Sequence, residues 1–256
     1  MQITPKLPKL LDRLLGRRPV NRPAVRQPRK PSPEALAKHW AELAMLEMGL
    51  EVPPIDLHDV CPVPASALSR NGEFLGYPLN SQIVPPEQTI EFLNICRDQS
   101  LWLAVIKGCN HDNPVVSDIY DWILSQPDCD AQVAIWAFMY LGGPHFCGKA
   151  VGDKYAEDAQ SLLKPLRRIV QREDSGNHFV SGLRHRKQRP IPGWDPETLL
   201  EEARRAQRNL EDGQLPLLRI PETLLMAYEK GTEEIVDYVV DETGILVLSK
   251  AQTALL

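Results

Sequence analysis

Two short segments of the chain each place a thiol and an imidazole two positions apart. They are Cys109-Asn110-His111 and His145-Phe146-Cys147. Two thiolates and two imidazoles together are a ligand set that holds zinc in tetrahedral geometry. One intervening residue is a tighter spacing than zinc ligand pairs usually have, and the chain contains no Cys-x-x-Cys pair. We therefore keep Cys109, His111, His145 and Cys147 only as candidate ligands, and the sequence predicts no metal and no cofactor.

The same thiols could also serve as nucleophiles, because a reactive cysteine needs a lowered pKa and a nearby base. Neighbours on a chain rarely point at each other, however, and no third group is indicated that would orient the imidazole. The Gly-x-Ser-x-Gly, Walker A and Gly-x-Gly-x-x-Gly signatures are absent. The sequence thus predicts a protein that is not an enzyme, with an unrecognised cysteine- or metal-dependent enzyme as an alternative.

Charge is distributed unevenly along the 256 residues, whose formal net charge is only -5. Residues 1–38 carry ten basic and two acidic side chains, a sum of +8, and the rest of the chain carries 19 basic and 32 acidic side chains, a sum of −13. A basic arm on an acidic body is typical of an interaction tail. Within the basic arm, Lys6–Leu15 is a leucine-rich basic segment that could contact an anionic membrane or a partner groove. Segments of this kind are more often frayed tails with a turn or two of helix.

The elements that must position these residues are mostly helical. Apolar spacing and cap residues predict helices over 87–97, 100–106, 131–141 and 196–210, and one that begins at Asn113-Pro114. Proline-rich stretches predict long loops over 51–86 and 172–195, and the pattern over 235–248 fits either a hairpin or a helix followed by a strand. The predicted fold is mainly α: an irregular helical bundle with long Pro-rich loops and a small C-terminal β-hairpin as an open option.

The charge distribution and the predicted elements divide the chain into three parts. Residues 1–32 are predicted to be a flexible, Pro-rich basic arm, 33–165 a helical core domain, and 166–256 a loop and a C-terminal helical region packed on that core. Five cysteines, an odd number without a framework spacing, indicate reduced thiols. Together with the lack of a secretory signal, this predicts a cytoplasmic protein.

One segment carries a family resemblance. It runs from Tyr120 to Asp130 and contains Trp122-Ile123 and Pro127-Asp128-Cys129-Asp130. Residues 88–145 resemble a small all-helical bacterial domain family of unknown function, whose members often occur near toxin–immunity and secretion loci. The resemblance implies a helical domain and no catalytic residues. From the residues themselves we expect Trp122 to anchor the core, Cys129 to be buried and Asp130 to cap a helix.

These features favour a bacterial interaction protein that makes protein–protein contacts. The most specific hypothesis is an immunity-type protein, as in toxin–antitoxin pairs, which binds a basic toxin and blocks it sterically and electrostatically. The alternative is an adaptor whose basic arm binds an anionic partner, a nucleic acid or a membrane. Nucleic acid is the weaker expectation, because the acidic body would repel a duplex; the basic run Arg184–Arg189 fits a solvated loop or a contact with that body.

Overall fold

The structure is a computed structural model, and it describes residues 55–68, 81–154, 156, 159–184, 196–226 and 231–253. The basic arm over 1–32, the dipeptide Asn71-Gly72, which is typical of a hairpin turn, and residues 185–189 of the basic run lie outside the described residues.

Four consecutive helices form the centre of the molecule, and their order matches the helices predicted from the sequence. They are α1 (Pro86–Ile95), α2 (Gln99–Gly108), α3 (Pro114–Ser125) and α4 (Ala131–Tyr140). The side chains of Asp98, Asn113 and Asp130 cap α2, α3 and α4, each by accepting a hydrogen bond from a backbone amide of the first turn. Local sequence therefore determines where these three helices begin.

The remaining helices follow as α5 (Gly143–Cys147), α6 (Gln160–Asp174), α7 (Pro196–Arg208), α8 (Glu222–Met226) and α9 (Lys250–Thr253). Helix α6 continues through Pro165, which has no amide hydrogen to donate to the carbonyl of Ser161, four residues earlier. The hydroxyl of Ser117 on α3 donates to that carbonyl instead. A contact between helices thus replaces the hydrogen bond that the proline removes.

The path of α6 corrects one sequence-based prediction, the loop over 172–195, and crosses the position of another, which stays a prediction. The helix spans residues 165 and 166, where the sequence suggested a boundary between the core and the C-terminal region. It also extends to Asp174, so residues 172–174 are helical and not the start of a loop. Both follow from the packing of α6 along α3, which gives its apolar face a partner over the whole length of the helix.

A four-stranded antiparallel sheet completes the fold, so the fold is α+β rather than the helical bundle predicted from sequence. Its strands are β1 (Val60–Pro62), β2 (Ser81–Val84), β3 (Val240–Asp241) and β4 (Gly244–Ser249). Each of the other strands pairs with β4, and β3 and β4 form the C-terminal hairpin that the sequence left open. The predicted loop over 51–86 therefore contains two strands, which the local pattern does not show because their partner lies more than 150 residues later.

One hydrophobic core joins the helices to the sheet. Helix α4, which is apolar nearly all round, lies in its middle with Val133, Ala134 and Phe138 fully buried. Trp102 of α2 is completely buried, whereas Trp122, expected as the core anchor, is only half-buried and contacts Trp102 edge-to-face at 5.5 Å between ring centroids. The anchor is thus Trp102, and Trp122 covers it from the margin of the core.

Candidate functional site

The four candidate metal ligands do not form a metal site. Cys109 ends α2 and is buried, and Cys147 lies on α5 with no exposed surface. His111 faces Asp112 at 3.8 Å, and His145 is exposed and contacts the ring of Phe146. Across the part of the chain that the structure describes, no three His, Cys, Asp or Glu side chains are arranged to hold a metal ion.

The thiols of these segments are not activated. Burial raises the pKa of Cys109 to about 11, with a smaller contribution from the charge of Asp241, and burial alone raises the pKa of Cys147 to about 12. Burial also raises the pKa of Cys129 strongly. A nucleophilic cysteine requires a shift in the opposite direction. At neutral pH these thiols are protonated, and all five cysteines of the chain are free.

The segment Gly143–Lys149 has the glycine and lysine spacing of a phosphate-binding loop without completing its signature. The position that would bind Mg²⁺ through a hydroxyl is Ala150. The structure places Gly143–Cys147 in helix α5, directly after another helix, whereas a phosphate-binding loop joins a strand to a helix. Lys149 lies 3.5 Å from the carboxylate of Asp153. The spacing therefore does not correspond to a nucleotide site.

Asp130 does more than cap α4. One carboxylate oxygen accepts the amide of Gln132 at 2.7 Å, and the other accepts the amides of Gly182 and Leu183 at 2.7 and 2.9 Å. Asp130 is 1% exposed, and burial raises its pKa although the three amides act in the opposite direction. The side chain thus joins the start of α4 to the segment that follows α6, a role that sequence alone did not suggest.

A buried arginine holds the other side of the same junction. Arg172 donates to the carbonyl groups of five residues, namely Leu124, Gln126, Pro127, Asn177 and His178. Its guanidinium lies 4.0 Å from the ring centroid of Phe179. A planar group with five donors suits such a set of carbonyls. Arg172 therefore fixes the turn that contains Pro127 and presents Asp130 to its partners.

Residues 231–242 form an extended segment over the surface of α2, which we call the acidic strap. It contains five carboxylates and no basic residue: Glu233, Glu234, Asp237, Asp241 and Glu242. The sequence leaves Glu233 and Glu234 either on a solvent face or in the first turn of a helix; both are exposed and lie on non-helical backbone, and the amide of Glu233 donates to the carbonyl of Gly182. The junction at Asp130 therefore positions the beginning of the strap.

The strap is anchored to both the helix and the sheet. The amide of Val236 donates to the Ser100 hydroxyl at 3.1 Å, and the Tyr238 hydroxyl donates to the Asp98 carboxylate at 2.5 Å. On the other side, the amide of Ala65 donates to the Asp237 carbonyl at 2.7 Å. A Cβ added to Gly108 would lie 2.8 Å from the Cβ of Val240, so the strap approaches the end of α2 closely.

A groove of about 160 Å³ lies between the strap and α2. One helical face supplies one side of it through Ser100, Leu103, Ala104, Lys107 and Gly108, and residues 235–238 and Val240 of the strap supply the other. Leu103 and Ala104 make the floor apolar, Asp237 is the carboxylate on the strap side, and Lys107 of α2 also lines the groove. The ammonium of Lys107 lies 4.6 Å from the ring centroid of Trp136. This groove is our candidate functional site.

Asp241, near the end of the strap, is charged at neutral pH. Hydrogen bonds from the hydroxyl and the amide of Thr243 lower the pKa of Asp241. Glu234 forms an exposed ion pair with Arg184 at 3.2 Å, which is the contact between the basic run and the acidic body that the sequence suggested. Burial and the hydrogen bond to Asp98 raise the pKa of Tyr238, so its hydroxyl stays protonated. The strap therefore presents negative charge beside an apolar floor.

Comparisons of the chain with protein-family models, with curated proteins and with solved structures found no match. The family resemblance of residues 88–145 therefore stays a prediction. None of the helices within the described ranges has both the length and the apolar character needed to cross a bilayer.

Proposed function

We propose that this chain is a non-enzymatic interaction protein that binds a basic protein partner along the groove beside the acidic strap. The observation that carries the proposal is the strap itself: five carboxylates on a surface segment that contains no basic residue, next to an apolar floor. Such a surface attracts a basic partner over a distance and accelerates association.

The size of the groove favours a protein partner over a cofactor. Pockets for small molecules usually enclose about 300–1,000 Å³, and this groove offers about 160 Å³. That volume accommodates one or two apolar side chains that project from a protein surface. The buried floor residue Leu103 would contact such side chains, while Asp237 in the groove and the exposed Glu233 and Glu242 elsewhere on the strap would attract basic residues around them.

The specific version of the proposal is an immunity-type role in the bacterial cytoplasm, in which the partner is a basic toxin. Binding would block the toxin by covering a surface that is itself built for an anionic substrate. The resemblance of residues 88–145 and the negative charge of the body support this version. The protonated thiols of Cys109 and Cys147 support a role without cysteine chemistry.

The test is co-expression of the full chain with the protein encoded by the adjacent reading frame, followed by binding kinetics on the purified pair. The variant E233Q/E242Q removes two exposed strap charges, and E211Q/D212N removes two exposed charges elsewhere as a matched control. Rim charges act mainly on the association rate. We expect the strap variant to associate about tenfold more slowly at low salt and the control to associate at the normal rate.

Two results would contradict the proposal. One is that the neighbouring protein forms no complex with the chain and is equally lethal with and without it. The other is that the strap variant and the control variant associate at the same rate, which would place the binding surface elsewhere on the molecule.

A further inference from the structure

We propose that residues 6–15 of the same chain occupy this groove when no partner is bound, so that the basic arm acts as an intramolecular competitor. The inference rests on the proposed function, because it treats the groove as the partner site and names what regulates access to it. Three independent features carry it: side-chain chemistry, charge and reach.

The side-chain chemistry of residues 6–15 matches the groove. The segment combines three basic residues and five leucines with Pro8 and Asp12: Lys6, Leu7, Pro8, Lys9, Leu10, Leu11, Asp12, Arg13, Leu14 and Leu15. The groove has an apolar floor at Leu103 and Ala104, and Asp237 lines its strap side opposite Lys107 of α2. Leucine side chains fill an apolar recess of this volume, and flanking ammonium and guanidinium groups meet carboxylates at its edge.

The charges of the two parts are complementary. Residues 6–15 have three basic side chains and Asp12, a sum of +2 within an arm of +8 over 1–38, and the strap has five carboxylates within twelve residues, of which Glu234 is paired with Arg184. Exposed charges interact over about 8 Å at physiological ionic strength, so this attraction requires proximity and weakens as salt rises. No basic residue interrupts the strap between 231 and 242.

The chain connection brings the arm close to the strap. The described chain begins at Ile55, and Ala65, ten residues later, already contacts the strap at Asp237. The 39 residues over 16–54 can span at most about 130 Å, which exceeds what is needed to return to α2. A tethered segment experiences an effective concentration of about 1 mM. A contact with a bimolecular Kd of about 1 mM would therefore be half occupied within one chain.

The experiment is zero-length carbodiimide crosslinking of the full chain at low protein concentration, with mass spectrometry of the monomer band. Carbodiimide joins lysine amines to carboxylates that touch them. We expect links from Lys6 or Lys9 to Glu233, Glu234 or Glu242, and their loss at 1 M salt, where the Debye length falls to about 3 Å. The exposed pair Glu211 and Asp212 serves as the matched control.

Equal linkage of Lys6 and Lys9 to the control pair would overturn the inference, as would strap links confined to a dimer band, which would identify a second copy as the occupant. A second variant, L7A/L10A/L11A/L14A, keeps every charge and should lower the yield of strap links at least threefold. An unchanged yield would show that the groove is not occupied by the leucines and would also overturn the inference.

These outcomes separate the inference from the proposed function. Partner binding that depends on the strap, without arm links to the strap, refutes the inference alone. Arm links to the strap in a chain that binds no basic partner refute the proposed function and leave the groove occupied only by its own arm.

Discussion

Replacement of Asp130 by alanine should destabilise the protein far more than loss of an ordinary helix cap. The variant removes the cap of α4 and also leaves the amides of Gly182 and Leu183 without an acceptor. Loss of a cap costs about 1 kcal/mol, and each buried unsatisfied amide costs about 1–3 kcal/mol.

Part of this cost is offset, because burial raises the pKa of Asp130 and the variant no longer has to bury a carboxylate. We therefore expect a net loss of about 2–4 kcal/mol at neutral pH. For a domain of this size, each kcal/mol corresponds to about 2–4 °C in Tm. The expected fall in Tm is about 4–16 °C.

The matched control is Asn113→Ala, which removes a cap with a single exposed hydrogen bond from Val115. It should cost about 1 kcal/mol. Urea denaturation of the full-length variants, followed by circular dichroism, gives both free energies of unfolding. If the unfolding free energies of D130A and N113A fall by the same amount within about 0.5 kcal/mol, the amides of Gly182 and Leu183 do not depend on Asp130. Asp130 then does not help to position the strap.

Three further predictions concern helix packing, pH and thiols. Ser117→Ala should cost about 1 kcal/mol of unfolding free energy, and less in a Pro165→Ala background, where the new amide serves the same carbonyl; equal costs in a double-mutant cycle would contradict this. Hydrogen bonding to Arg97 lowers the pKa of Asp128, so the pair stabilises the protein above the usual aspartate pKa and this contribution is lost as the pH falls through the lowered value. Both side chains are more than a third exposed, so the contribution is small: between pH 7 and pH 2 the wild type should lose more unfolding free energy than Arg97→Gln, by less than about 1 kcal/mol. A larger loss in the variant than in the wild type would refute the assignment. The Cys147 thiol should react with a disulfide reagent only on the timescale of unfolding, because it is buried and its pKa is raised to about 12; stoichiometric reaction of the native protein within seconds would contradict the described packing.

The helices and their beginnings could be predicted because the signals that create them are local. Asn113 and Asp130 precede α3 and α4 by one residue, and both cap as expected. Cys129 is fully buried, as its small apolar thiol suggested. The weaker predictions involve partners distant in sequence: Trp122 has the size and spacing of a core residue, yet packing places Trp102 in the centre instead.

The candidate site was not predictable from any segment alone. In the sequence, the α2 face that lines the groove has the pattern of an ordinary buried helix face. Residues 231–242 overlap the stretch whose pattern fits either a hairpin or a helix followed by a strand. The two become a groove because Ser100 and Asp98 hold the strap from one side and the chain around Ala65 holds it from the other. These contacts join residues more than 130 positions apart.

Local sequence specifies the helical segments, their caps and the opposite charges of arm and body, since periodicity, cap chemistry and composition act within a few residues. The sheet and the position of the acidic strap depend on contacts between distant parts of the chain. Strand β4 pairs with β1 and β2, which lie in the segment 51–86 that the sequence predicts to be a loop. Strand pairing satisfies backbone hydrogen bonds wherever the partner lies in the chain. Contacts of the same long range, from Val236 to Ser100 and from Tyr238 to Asp98, place the acidic strap beside α2.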